Sequence, residues 1–251
     1  MKDYKATVVK NERIAEGVYA ITFDIGEDVP IRCGTFGNIS VGGTHLLRRP
    51  IAICKKEGSQ VTFCYQVKGE GTQKLKGLEE GDKTSVLMPL GNGFFVEETE
   101  KKVALVGGGV GVFPLISVLR QYQDEKEISA YIGYRNKGAV CGLEEFAKAE
   151  KFTAVTDDGS FGEKMNAVQA FEKSLKAGDI PDVVLACGPT PMLKALVAVT
   201  ERENLNCFIS LEERMGCGIG ACVVCVCDLT NGKKARVCKD GPVFNAKDIA
   251  F

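Results

Sequence analysis

The chain has 251 residues, 45% of them hydrophobic, and a formal net charge of −1. That length is enough for two modest domains, and near-neutrality gives no sign of a nucleic-acid partner or an anionic membrane surface. No run approaches the ~18 apolar residues of a membrane span. The start, M-K-D-Y-K-A, lacks the apolar stretch of a signal peptide, so eleven cysteines point to a reducing cytoplasm and to metal or redox chemistry rather than disulfides.

The first hundred residues read as short alternating strands at 5–9, 18–23, 37–41, 51–55, 60–66 and 84–88. Turn signals at Gly26, Gly34, Gly42-Gly43, Gly58-Ser59 and Gly81-Asp82 separate them, and one short helix is expected at 74–78. Regular short strands with few helical runs predict a small antiparallel β-barrel. Two of its loops look chemical. In Leu47-Arg48-Arg49-Pro50-Ile51-Ala52 a guanidinium stands beside a turn, where its planar fork suits a pyrophosphate. In Gly69-Glu70-Gly71-Thr72 the N–H groups of Gly71 and Thr72 open the short helix, an anion-binding arrangement. Taken singly, the first loop is more often a surface turn and the second a tight bend. His45 is the one histidine and is read as a loop residue.

From Lys102 the rhythm changes. A continuous apolar strand at 103–106, of the kind buried in a parallel sheet, runs into Gly107-Gly108-Gly109-Val110-Gly111-Val112-Phe113-Pro114. A helix is expected at 115–123, with Pro114 at its first turn. Strand, glycine-rich turn and helix make a dinucleotide-binding arrangement. Val112 stands where the last glycine of G-x-G-x-x-G belongs, and the bland alternative is a tight turn. Strands at 128–134, 152–156, 183–186 and 207–211 alternate with helices at 143–149, 166–175 and 191–204. This is a doubly wound α/β unit, with ligands expected at the carboxyl ends of its strands. The Gly107–Gly111 turn, Asp157-Asp158 and Cys187-Gly188-Pro189 all fall at those ends.

The last stretch carries Cys217, Cys222, Cys225 and Cys238 in the pattern C-x4-C-x2-C-x12-C. Four thiolates suit one [2Fe–2S] cluster, and C-x4-C-x2-C is the plant-type ferredoxin spacing. Structural zinc usually takes two short Cys pairs, and only Cys222 and Cys225 form one. Cys227 is read as a small buried side chain, pointing opposite to Val226 and Asp228. The expected division is 1–98 for the barrel, 99–211 for the α/β unit and 212–251 for the cluster segment.

A barrel with R-P-I-A, followed by an α/β unit with G-G-G-V-G-V-F-P and C-G-P, resembles the ferredoxin–NADP reductase superfamily. L-L-R-R-P-I-A-I, G-E-G-T, P-L-G-N-G-F and E-E-R-M-G-C-G-I-G-A-C narrow the resemblance to the electron-transfer subunits of type B dihydroorotate dehydrogenase, over essentially the whole chain. The resemblance implies FAD on the barrel, held by Arg49, Pro50, Ile51, Ala52, by Cys64, Tyr65 and Gln66, and by Gly71 and Thr72. It implies a pyridine nucleotide on Gly107, Gly109, Gly111, Asp157, Asp158, Cys187, Gly188 and Pro189. It implies electrons arriving from FMN in a separate dihydroorotate-oxidising subunit, two copies of each chain assembling, and passing through cluster and FAD to NAD. In pyrimidine biosynthesis such a chain supplies no acid–base residue of its own. The superfamily's flavin-stacking Tyr is replaced here by Ile51, and Ala52 removes the hydroxyl that usually closes the motif. Asp157-Asp158 stands where NADP-binding relatives can carry Ser-Arg, so NAD is expected over NADP. Competing readings are the small subunit of an NADH-dependent ferredoxin:NADP oxidoreductase, whose cluster motif departs from four Cys, a self-sufficient reductase, and a zinc-stabilised binding module.

Overall fold

The computed structural model describes residues 1–43 and 45–251. Six strands, β1 (Lys2–Ala15), β2 (Val18–Asp24), β3 (Phe36–Ile39), β4 (Arg49–Glu57), β5 (Gln60–Gln66) and β6 (Lys83–Leu90), close into an antiparallel barrel in the order β1-β2-β5-β4-β3-β6. Alternation sends Ile21, Phe23, Ile53, Val61, Phe63 and Val86 into one barrel core, as period-2 patterning requires. Closure leaves no free strand edge. Helix α1 (Glu70–Lys76) plugs one end through buried Leu75. It begins earlier than the expected 74–78, because the Thr72 hydroxyl accepts from the N–H groups of Lys68 and Gly69 and organises the first turn.

The second unit holds β7 (Lys102–Gly108), α2 (Val112–Tyr122), β8 (Glu127–Tyr134), α3 (Leu143–Phe146), β9 (Lys151–Thr156), α4 (Ala167–Lys176), β10 (Val183–Cys187), α5 (Thr190–Arg202) and β11 (Asn206–Ser210). Its sheet runs β11-β10-β7-β8-β9, all parallel, with the last strand of the chain added antiparallel beside β11. The central strands are apolar along their whole length because helices cover both faces: α2 seals one, α4 and α5 the other. α4 starts in a capping box, with Asn166 Oδ1 accepting from Gln169 N and Gln169 Oε1 from Asn166 N, worth about 1 kcal/mol. α3 stops at Phe146 instead of 149, and Glu150 N already bonds Ile128 O to start β9 beside β8.

The cysteine segment forms a small hairpin, β12 (Val226–Asp228) with β13 (Lys234–Arg236), and then β14 (Val243–Asn245). β14 lies antiparallel on β11 and makes the edge of the α/β sheet. Phe36, Leu90, Cys225, Val237 and Cys238 share a fourth apolar cluster, so the loop is anchored on the barrel as well. Among the described residues, no helix is long and apolar enough to cross a membrane.

Candidate redox site

Arg49 opens β4, and its side chain lies flat over α1. A methyl group at buried Gly71 would overlap the Arg49 guanidinium. Arg49 Nη1 also donates to Leu47 O, which fixes the fork. The N–H groups of the first turn of α1 have no acceptor inside the helix, so the guanidinium and this turn together form a cradle for an anionic phosphate. Pro50 lies next to it on the wall of a large groove. Ile51 is buried in the barrel, and Ala52 pairs with Phe36. Cys64 and Tyr65 are both buried on opposite faces of β5, Tyr65 in the barrel core and Cys64 against the α/β unit. The hydrogen-bonded Cys54 thiol and burial push the Cys64 thiol up, and Tyr65 Oη donates to Asn11 Oδ1 at 3.4 Å. They leave main chain, and the exposed Gln66 side chain, for a ligand.

The two nucleotide turns meet. Gly107 pairs with Cys187 across β7 and β10. A Cβ at Gly111 would sit 2.5 Å from Cys187 O, and one at Gly188 would sit 3.1 Å from Gly108 N. Only glycines allow these two backbones to touch. Gly109 takes φ +56°, bending the chain from β7 into α2. Burial pushes the Cys187 thiol up to about 12, with Ser210 opposing. Asp157 and Asp158 stand two strands away on the same sheet edge, about 10 Å off. Their roles separate: Asp158 Oδ1 accepts from Ser160 N at 2.9 Å and Ser160 Oγ at 2.6 Å. These bonds hold its carboxyl below the usual range, whereas Asp157 is exposed at the turn, anchored by its N–H to Tyr134 O.

The four cysteines stand as two pairs. Cys217 N donates to Cys222 Sγ and Cys222 N to Cys217 Sγ, both at 3.4 Å. Cys238 N donates to Cys225 Sγ at 3.4 Å. Ile219 N and Ala221 N also point at Cys217 Sγ, and Gly220 N points at Cys238 Sγ at 3.1 Å. Burial works against ionisation of Cys217, but these N–H groups bring its thiol down to about 6. Burial and the neighbouring Cys225 thiol push Cys238 up to about 12. Among the described residues, no three His, Cys, Asp or Glu side chains close on a single ion. Two thiol pairs inside a ring of N–H donors fit the two irons and the negative charge of a [2Fe–2S] cluster. Cys225 and Cys238 are buried, Cys222 is exposed, and Cys227, half-buried, packs at the margin of the apolar cluster that holds Cys225 and Cys238 without sharing in the N–H···S bonds of the four.

One groove of about 2060 Å³ joins these parts: Arg49 and Pro50, Gly188 and Pro189, Cys217 and Cys222 all line it. Between the Arg49–Ala52 strand and the cluster loop stands Asn38, which lies in the expected strand 37–41 and has no sequence signal of its own. Its Nδ2 donates to Cys217 O at 3.2 Å.

Residues 212–250 match the iron–sulfur cluster binding domain of dihydroorotate dehydrogenase B, and residues 105–198 match the oxidoreductase NAD-binding domain. The chain is 40% identical to the dihydroorotate dehydrogenase B (NAD(+)) electron transfer subunit of Caldanaerobacter subterraneus subsp. tengcongensis, over 98% of each chain. It is 34% identical to that of Clostridium perfringens, over 100% of this chain and 99% of the other. A solved NADH-dependent reduced ferredoxin-NADP oxidoreductase superposes with TM-score 0.86 at 26% identity, covering 98% of this chain and 89% of that one. Phthalate dioxygenase reductase shares the fold, with TM-score 0.68 at 18% identity and 94% of each chain covered. The α/β unit thus matches an oxidoreductase NAD-binding domain and the cysteine loop an iron–sulfur cluster domain, behind a barrel of the fold these reductases share. The whole-length identity to these curated subunits places the chain in one family: it belongs to the electron transfer subunits of dihydroorotate dehydrogenase B.

Proposed function

We propose that this chain takes electrons from an FMN-containing subunit that oxidises dihydroorotate and delivers them to NAD⁺, in a cytoplasmic assembly of two copies of each chain. The observation that carries the reading is the shared groove, into which the Arg49 cradle, the Gly188-Pro189 turn and the Cys217/Cys222 pair all open. When bound, the cluster supplies one-electron steps, and the flavin joins two of them and a proton into the hydride that NAD⁺ accepts. Arg49 and the first turn of α1 hold the FAD phosphates. Gly107, Gly109 and Gly111, with Cys187-Gly188-Pro189, let the nucleotide approach the backbone, and Asp157 faces its ribose. Cys217, Cys222, Cys225 and Cys238 hold the two irons.

Electrons enter on the exposed side. Ile219, Val223 and Val224 of the cluster loop are 41%, 58% and 55% exposed, an apolar collar suited to a docked protein. The division 1–98, 99–211 and 212–251 goes with these three cofactors, with β14 joining the third part to the second. Removing a carbon-bound proton from dihydroorotate needs a base within reach of that proton. His45, the one histidine, instead stands with Nε2 3.6 Å from Glu70 Oε2 beside the flavin cradle, and in this reading the base is supplied by the partner. The purified chain is expected to oxidise NADH with an artificial acceptor and to leave dihydroorotate untouched until the FMN subunit is added. Turnover of dihydroorotate by this chain alone, or none by the reconstituted pair, overturns the reading.

A further inference from the structure

Asn38 is 1% exposed, yet its side-chain Oδ1 has no hydrogen-bond partner. The amide cannot simply turn over, because its Nδ2 donates to the Cys217 carbonyl, which accepts only from an N–H or O–H. An orphaned buried acceptor is destabilising, and a leucine of similar size would avoid it. The position is equally specific. On β3 Asn38 pairs with Pro50 of the flavin motif, and its main-chain O accepts from Arg48 Nη1 at 3.3 Å. On the other side, Gly218 comes so close that a Cβ there would lie 2.6 Å from Asn38 Nδ2. One residue therefore touches the strand that carries the flavin motif and the loop that carries the first cysteine ligand.

We propose that Asn38 is a positioning residue for electron exchange between flavin and cluster: its Nδ2–H···O=C bond to Cys217 clamps the cluster loop on β3 and links the two through bonded atoms. This rests on the functional reading above. The step moves one electron from the NADH-reduced flavin to the oxidised cluster, and the flavin's proton goes to water. Losing the clamp loosens the spacing and removes the bonded link, while the Arg49 cradle and the four thiols stay.

The test uses the full chain, purified without oxygen, with iron, sulfide and FAD measured first. NADH is mixed in a stopped-flow cell, and cluster reduction is followed against flavin reduction in the same sample. In Asn38→Leu and Asn38→Asp, both without the N–H donor, the ratio of the two rates per loaded cluster is expected to fall several-fold, and the EPR g-values of the reduced cluster to shift. Asn38→His, which keeps a donor, recovers both. A packing role alone lowers cluster content and leaves the ratio per cluster unchanged, and that result overturns the proposal. Should Asn38→Leu lose its cluster entirely, Gly218→Ala presses on the same bond from the loop side, and an unchanged ratio there is equally fatal. A parent chain that binds neither FAD nor cluster takes down the functional reading itself, and the proposal with it.

Discussion

The guanidinium of Arg49 rests against the Cα of Gly71, so two loops far apart in the sequence form one cradle. The size of the residue at 71 matters as much as the charge at 49. Arg49→Ala removes a charge-assisted contact of about 1.5–3 kcal/mol, roughly 10- to 100-fold in FAD affinity. Gly71→Ala keeps the charge but drives a methyl into the space of the fork, so it is expected to purify flavin-poor as well. FAD released per chain after denaturation measures both. Full FAD in Gly71→Ala would separate the two loops, and FMN as the only released flavin would remove the adenosine half from this cradle.

Single Cys→Ser changes at 217, 222, 225 and 238 are expected to lose or alter the cluster, read by iron, acid-labile sulfide and EPR. The buried pair should be the more sensitive, since Cys225 and Cys238 are 1% and 2% exposed and share a core with Phe36, Leu90 and Val237. Cys227→Ser is expected to keep the cluster, because that thiol receives none of the N–H···S bonds that ring the other four and only packs at the margin of their core. An essential Cys227 beside a dispensable member of the four would reassign the ligands.

Patterns with a period or a fixed spacing were readable before the fold. The barrel strands alternate, the central α/β strands β7 and β10 are nearly continuous buried runs, and the cysteine spacing is that of a plant-type cluster loop. What escaped has neither. β14 is three residues long behind Gly241-Pro242, and only its register on β11 reveals it as a sheet edge. Asn38 sits in the short segment Phe36–Ile39, where one polar residue carries no signal. Its role appears only when Cys217, distant in sequence, is brought beside it. Asp157 and Asp158 read as a pair of equals, whereas Ser160 takes one of them for the turn.

Next to the cluster loop, Arg236 Nε and Nη2 bond Asp240 at 2.9 and 3.0 Å, while Nη1 donates to Gly220 O at 3.2 Å. Gly220 N in turn donates to Cys238 Sγ. The reduced cluster carries one more negative charge, so an unpaired neighbour moves its potential by its own sign. Arg236→Met leaves Asp240 alone and is expected to lower the potential. Asp240→Asn leaves Arg236 alone and is expected to raise it, with the double variant in between. EPR-monitored redox titration reads all three. Shifts in the same direction for both single variants would mean that the pair only props up the loop.

NAD is expected over NADP, and Asp157 is the residue that decides it. The loop after β9 carries two carboxylates and no arginine between 156 and 162. Asp158 is spent on Ser160 N and Oγ, which shapes the turn. Asp157 keeps an exposed carboxylate beside the sheet edge where the Gly107 and Cys187 turns meet. A carboxylate accepts hydrogen bonds from both ribose hydroxyls and repels a 2′-phosphate. Arg135, just after β8, accepts at its main-chain O from Asp158 N, and its guanidinium is a nearby group that favours a phosphate. Steady-state diaphorase kinetics are therefore expected to give the higher kcat/KM with NADH. Asp157→Ala should lower that value and narrow the gap, and Asp157→Ala with Arg135→Ala should lose the residual NADPH rate. Asp158→Ala is expected to act through the loop and weaken both cofactors together. A higher kcat/KM for NADPH in the parent chain sinks the assignment, and an Asp157→Ala variant with unchanged discrimination moves the ribose contact elsewhere.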